Sequence, residues 1–161
     1  MFGFGKKKNG SGSVLVAAAS GTVVNVETLP DEVFSKKILG DGYAVKPMNG
    51  TIVSPADGKI IDVQDSHHAY GIQTNDGLEL LVHIGIDTVS LNGEGFTPCV
   101  KNGDKVKAGQ TLCEVDLGKI RAAGYPTDTV VLITNIDEVK SINVTCGEAK
   151  AGETEVLTYT K

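Results

Sequence analysis

The 161-residue chain has no tryptophan, four phenylalanines and four tyrosines, so its core has to be built mainly from aliphatic side chains. Its three cysteines, Cys99, Cys113 and Cys146, are an odd set at long spacings with no C-x-x-C pair. That pattern offers neither a disulfide framework nor a zinc knuckle, and leaves three free thiols packed among strands. No apolar run reaches membrane-spanning length, and the opening MFGFGKKKNGSG has lysines without the apolar stretch of a secretory signal, which points to the cytoplasm. Twenty acidic residues against fifteen basic ones give a net charge of -5, which opposes a broad cationic face for nucleic acid. Walker motifs, Gly-rich phosphate cradles and a Ser-His-Asp arrangement are missing as well.

What the chain has in quantity is glycine, twenty residues, set between short β-branched runs. GTVVNV (Gly21 to Val26), GTIVSP (Gly50 to Pro55), GKIIDV (Gly58 to Val63) and TVVLITN (Thr129 to Asn135) alternate with turn signals. Such spacing predicts an all-β fold, an antiparallel β-sandwich or barrel-sandwich hybrid. Helix is confined to a turn or two within LPDEVFSKKILG (Leu29 to Gly40) and DLGKIRAAG (Asp116 to Gly124). AAASGTVVNV (Ala17 to Val26) aligns without gaps on SPADGKIIDV (Ser54 to Val63), and GDKVKAGQT (Gly103 to Thr111) more loosely on GEAKAGET (Gly147 to Thr154), so an internally duplicated β motif is expected. Length and composition suit one domain, residues 14–161, behind a Gly- and Lys-rich flexible tail at residues 1–13.

All three histidines fall between His67 and His83. In LELLVHIGID, alternation sends Leu78, Leu80, Val82 and Ile84 to one face and Leu81, His83, Gly85 and Asp87 to the other. On this reading His83 faces outward, with Gly85 leaving open space beside it. TNDGL (Thr74 to Leu78) signals a hairpin that makes HHAYGIQT and LELLVHIGI antiparallel neighbours. A two-residue loop at Asn75-Asp76 sets His68 opposite His83, Cβ atoms about 5 Å apart. A three-residue loop with Gly77 left-handed matches Tyr70 and Ile72 with the core better, but puts the two histidines on opposite faces. If they share a face, three roles are open: phosphoryl transfer through one imidazole with the other stabilising charge, zinc binding with Asp87, or a structural pair.

These residues resemble the glucose-type enzyme IIA of the bacterial phosphoenolpyruvate-dependent sugar phosphotransferase system, over about Val14 to the C-terminus. GLELLVHIGIDTV (Gly77 to Val89) is similar to the family's phosphorylation signature, with support from LNGEGF, HAYGI, LPDEVFSKKILGDGYAVKP, GDKVKAG and ITNIDEVKSI. The resemblance implies a phosphotransferase component that takes a phosphoryl group from phospho-HPr on His83 and passes it to the IIB domain of a sugar permease. It implies that His68 stabilises the phosphoryl group, that Ser66, in a place usually held by threonine, orients His68, and that the register is the one in which the two histidines face each other. Under it, Val33, Phe34, Leu39 and Val89 join Leu81 as an apolar collar, Gly85 lies within the docking surface, and Asp31 and Asp87 are rim carboxylates. His67 is then exposed and incidental.

No cofactor or metal is required, although His68 and His83 could hold adventitious zinc. Membrane association would come only through the permease, and other enzymes are possible regulatory targets. A freestanding protein is expected from Met1 and the lysine-rich start, and a monomer is favoured; the transported sugar is not legible. There are departures: AAASG lacks a proline usual in the family, and Tyr125-Pro126 alters a loop. The alternative is a zinc-dependent hydrolase on a related duplicated β scaffold, for which His83-x-x-x-Asp87 is suggestive but an H-x-H pair is missing. A lipoyl or biotinyl carrier lacks its Met-Lys-Met turn, Lys105 sitting in a structural one.

Overall fold

The structure is a computed structural model and describes residues 12–161. The expected flexible tail lies outside the described residues as far as residue 11; Gly12 and Ser13, which the sequence placed in it, already belong to the first strand. Fourteen strands follow among the described residues: β1 Gly12–Val16, β2 Gly21–Asn25, β3 Asp41–Pro47, β4 Thr51–Val53, β5 Gly58–Val63, β6 Ala69–Thr74, β7 Glu79–Ile84, β8 Phe96–Pro98, β9 Lys105–Val106, β10 Thr111–Val115, β11 Thr129–Ile133, β12 Ser141–Val144, β13 Gly147–Ala149 and β14 Glu155–Thr160. The two helices, α1 (Glu32–Ser35) and α2 (Leu117–Ala122), fall inside the two stretches expected to hold them.

Every strand pairing is antiparallel, in an eight-stranded sheet ordered β13-β2-β3-β11-β7-β6-β5-β9 and two three-stranded sheets, β1-β14-β12 and β4-β10-β8. The main core, including Leu15, Tyr43, Ile52, Ile72, Leu80, Val82, Leu112, Ile120 and Leu157, draws on all three sheets. A second, smaller cluster of Val26, Leu29, Phe34, Ala44, Ile86, Val130 and Leu132 is joined by half-buried Leu81. This explains why TVVLI of β11 lacks alternation: Val131 and Ile133 enter one cluster, Val130 and Leu132 the other, and the whole strand is buried. A strand covered on both faces gains nothing from polar residues at every second position.

The duplication is visible in the hydrogen bonds. Val16 N–H donates to Pro55 O (2.9 Å), and the equivalent Val53 N–H donates to Ala18 O (2.7 Å). Gly152 N–H donates to Ala17 O (2.9 Å), matching Gly109 N–H to Ser54 O (2.8 Å). Corresponding residues of the two copies thus make corresponding bonds to each other, as expected of two similar units packed about a shared core. The three thiols are free, but packing among strands holds only for Cys113, whose burial pushes its pKa up to about 11; Cys99 and Cys146 are exposed.

Candidate functional site

His83 is the fifth residue of β7, between Ala69 of β6 and Val130 of β11. It points outward with Leu81, as alternation predicted, and is half-buried rather than fully exposed. The edge of buried Phe34 meets its ring at a centroid distance of 5.1 Å and an interplanar angle of 64°. Phe34 is held there because Asp31 caps α1, its Oδ1 accepting from the N–H groups of Val33 (2.8 Å) and Phe34 (3.4 Å). Such a cap satisfies backbone donors that a four-residue helix cannot satisfy internally.

The hairpin register corrects one expectation. Gln73 pairs with Glu79, and Gly77 stands in a three-residue turn with φ of 96°. This is the loop that keeps Tyr70 and Ile72 in the core, and it sets Ala69, not His68, opposite His83. Yet the imidazoles of His68 and His83 do meet, with centroids 5.0 Å apart and planes 81° to each other. His68 escapes the alternation rule because it precedes β6 and directly follows His67, whose φ is 58°.

Gly85 also differs from expectation. It is buried, with φ of 78°, and a Cβ there would lie 2.4 Å from Thr88 Cγ2 and 3.0 Å from Pro126 O. The glycine therefore fits a tight seat rather than opening space, and the small neighbour on the face of His83 is Ala69. Its backbone is fixed by Gly85 N–H to Asp128 O (3.0 Å) and Ile86 N–H to Pro126 O (3.1 Å), with Thr88 Oγ1 donating to Ile84 O (2.5 Å). So held, the Gly85 carbonyl lies 2.7 Å from His83 Nδ1. A carbonyl can only accept, so the proton sits on Nδ1 and the lone pair of the neutral ring on Nε2.

Ser66 Oγ lies 2.6 Å from Nδ1 of the buried His68. Burial, and secondly the neighbouring His83, push His68 down to about 4. Burial also lowers the pKa of His83, opposed by the Gly85 carbonyl and by the charges of Asp31 and Asp87. Both rings are therefore neutral at pH 7. Either atom of that contact can be the donor; where the hydroxyl donates to Nδ1, His68 carries its proton on Nε2. One imidazole then offers a lone pair beside another that offers an N–H donor.

Of the other residues expected at the docking surface, Val33, Leu39 and Val89 are exposed, Leu81 is half-buried, and Asp87, left-handed at φ of 62°, is exposed. Phe34, expected in the collar, is instead a 4% exposed support beneath the ring. His67 is half-buried with Nδ1 buried and unpaired, not solvent-exposed. Ile38, which the sequence reading did not single out, is 66% exposed in the segment that carries Val33 and Leu39; its only signal was its place in KKILG. The sequence reading also missed Thr88, Pro126 and Asp128, which seat Gly85 through backbone and hydroxyl groups that residue pattern does not reveal. Among the described residues no cluster of three or more His, Cys, Asp or Glu is arranged for a metal, and no helix is long and apolar enough to cross a membrane. The three-ligand set that the zinc-dependent hydrolase alternative needs is thus not assembled among the described residues.

Comparison with known proteins agrees with the geometry. The family model of the phosphoenolpyruvate-dependent sugar phosphotransferase system, EIIA 1, matches residues 13–139. A Haemophilus influenzae protein named PTS system glucose-specific EIIA component is 45% identical over 159 residues, covering 98% of this chain and 96% of that one. A Streptococcus pneumoniae PTS system glucose-specific EIICBA component is 49% identical over 140 residues, 87% of this chain but 19% of that longer protein. Among solved structures, the glucose permease IIA from Mycoplasma capricolum superposes with a TM-score of 0.85 at 35% identity, covering 92% of this chain and 96% of that one.

Proposed function

The chain belongs to the EIIA 1 family of the phosphoenolpyruvate-dependent sugar phosphotransferase system, a phosphocarrier and phosphotransferase component, and on that premise we propose that His83 is the residue that carries the phosphoryl group. The observation that carries this reading is the bond from His83 Nδ1 to the Gly85 carbonyl, which leaves Nε2 as the nucleophilic nitrogen. The Nε2 lone pair attacks phosphorus of the phosphorylated donor. A new N–P bond forms, the donor's bond to phosphorus breaks, and the donor's leaving group keeps that electron pair.

His83 then has a proton on Nδ1 and a phosphoryl group on Nε2, so the ring is cationic. The Gly85 carbonyl stabilises that charge, and a cationic imidazole leaves readily in the next transfer. His68 presents Nε2–H to the phosphoryl oxygens, with Ser66 holding the tautomer. Transfer in both directions needs positioning and charge stabilisation more than covalent help from the protein.

Family membership implies HPr as donor and the IIB domain of a permease as acceptor. The relatives' names make glucose the proposed sugar of the pathway, and the cytoplasm, expected from the sequence, is the proposed compartment. Val33, Leu39 and Val89, with Leu81 at their edge, form the apolar docking surface, and Asp31 and Asp87 meet cationic partner groups at its rim. Mixing the protein with phospho-HPr and then with a glucose-type IIB domain tests this: label moves first to this chain and then onward. Label remaining on HPr would refute the reading.

A further inference from the structure

We propose that His67 is a positioning residue whose left-handed backbone, not its imidazole, aims His68 at His83. The register of β6 and β7 assigns His68 to the face that carries Tyr70 and Ile72, both fully buried in the core. A regular strand continued backward from Ala69 would therefore turn the His68 ring away from the outward face of Leu81 and His83. Instead the rings stand 5.0 Å apart.

The change of direction is made in the connection between β5 and β6. Val63 pairs with Tyr70, Gln64 N–H donates to Ala69 O (3.1 Å), and His67 N–H donates back to Gln64 O (2.8 Å), closing the four-residue turn Gln64 to His67. His67 then adopts φ of 58° before the chain enters the ladder, where Ile84 N–H donates to His68 O (2.7 Å). An extra left-handed residue at the end of a hairpin re-aims the side chain that follows it, in the manner of a β-bulge.

The side chain of His67 does little to explain its own presence: its Nδ1 is buried without a hydrogen-bond partner. What the position requires is tolerance of positive φ. Glycine meets that requirement best, asparagine and histidine acceptably, alanine less well and a β-branched residue poorly. The identity of residue 67 thus sets how firmly His68 faces the phosphoryl site.

The functional part of this inference rests on the phosphocarrier reading, so the test has two readouts. The full chain is prepared as His67→Gly, His67→Asn, His67→Ala and His67→Val. Proximity of the two rings is read from NOEs between His68 and His83 ring protons, without any partner protein. Onward transfer from phosphorylated His83 to a IIB domain is then measured. The Gly and Asn variants should keep the ring contact and transfer within about twofold of the unmodified chain, whereas Val should weaken the contact and slow transfer by about tenfold. Loss in the Gly and Asn variants as large as in Val, or native behaviour in Val, would overturn the proposal. If the Val variant does not fold, the order of Gly and Ala decides: Gly at least equal to Ala upholds it, and Ala exceeding Gly overturns it. Failure of the unmodified chain to accept phosphate would count against the phosphocarrier reading alone, because the NOE series still decides the role of His67.

Discussion

His83 Nδ1 donates to the carbonyl oxygen of Gly85 across 2.7 Å, and that carbonyl is aimed by a backbone seat too tight for any side chain at residue 85. The nucleophilic nitrogen is thus selected by a glycine two residues downstream. Replacing Gly85 with alanine should both destabilise the fold and loosen this selection. With φ of 78° and a Cβ 2.4 Å from Thr88 Cγ2, we expect a loss of about 2 kcal/mol or more, read by chemical denaturation. Nitrogen-15 spectra should show a weakened preference for the Nδ1–H tautomer of His83.

His68→Gln should accept phosphate from phospho-HPr but pass it on slowly. The amide still carries N–H donors, but its free side chain does not hold one in the fixed place of the ring's Nε2–H, and loss of one preorganised donor costs about 100-fold or more in comparable sites. Separate measurement of acceptance and onward transfer checks the split. Equal rates for the variant and the unmodified chain in the second step would remove His68 from the mechanism.

Ser66→Ala removes the 2.6 Å contact to His68 Nδ1. The histidine then loses its tautomeric bias but keeps its place, so onward transfer should fall less than in His68→Gln, by about tenfold. The nitrogen-15 shifts of His68 should move toward a mixture of tautomers. Ser66→Thr, which keeps the hydroxyl, should restore both.

The pH dependence of stability has a defined sign. Both histidines titrate below 6.5 in the folded protein, His68 at about 4, whereas in the unfolded chain they bind protons near 6.5. Between these values the unfolded state holds more protons, so unfolding becomes easier as pH falls from about 6.5 toward about 4, and this contribution is absent above 6.5. Denaturation midpoints across that window should fall with pH, with a shallower slope in His68→Gln. Midpoints that rise on acidification in this window would contradict the neutral-pair assignment.

Much of the architecture was legible because local chemistry and global packing agree in it. Gly-flanked β-branched runs became strands, the two short helical stretches became α1 and α2, and the repeated segments became units with matching hydrogen bonds. Apolar matching of Tyr70 and Ile72 also indicated the three-residue turn at Asn75 to Gly77. The relation of His68 to His83 was not legible from alternation, because it depends on the backbone sign of φ at His67, which the residue type permits but does not dictate. Gly85 was misread for a related reason. Alternation was carried one residue past the end of β7, where Gly85 has left the strand and its carbonyl, not its missing side chain, serves His83.

The most direct measurement is to phosphorylate the unmodified chain, His83→Ala and His68→Ala with phosphoenolpyruvate, enzyme I and HPr, and to count phosphoryl groups by intact mass. The account predicts one acid-labile group on the unmodified chain and on His68→Ala, and none on His83→Ala. Undiminished labelling of His83→Ala would contradict it.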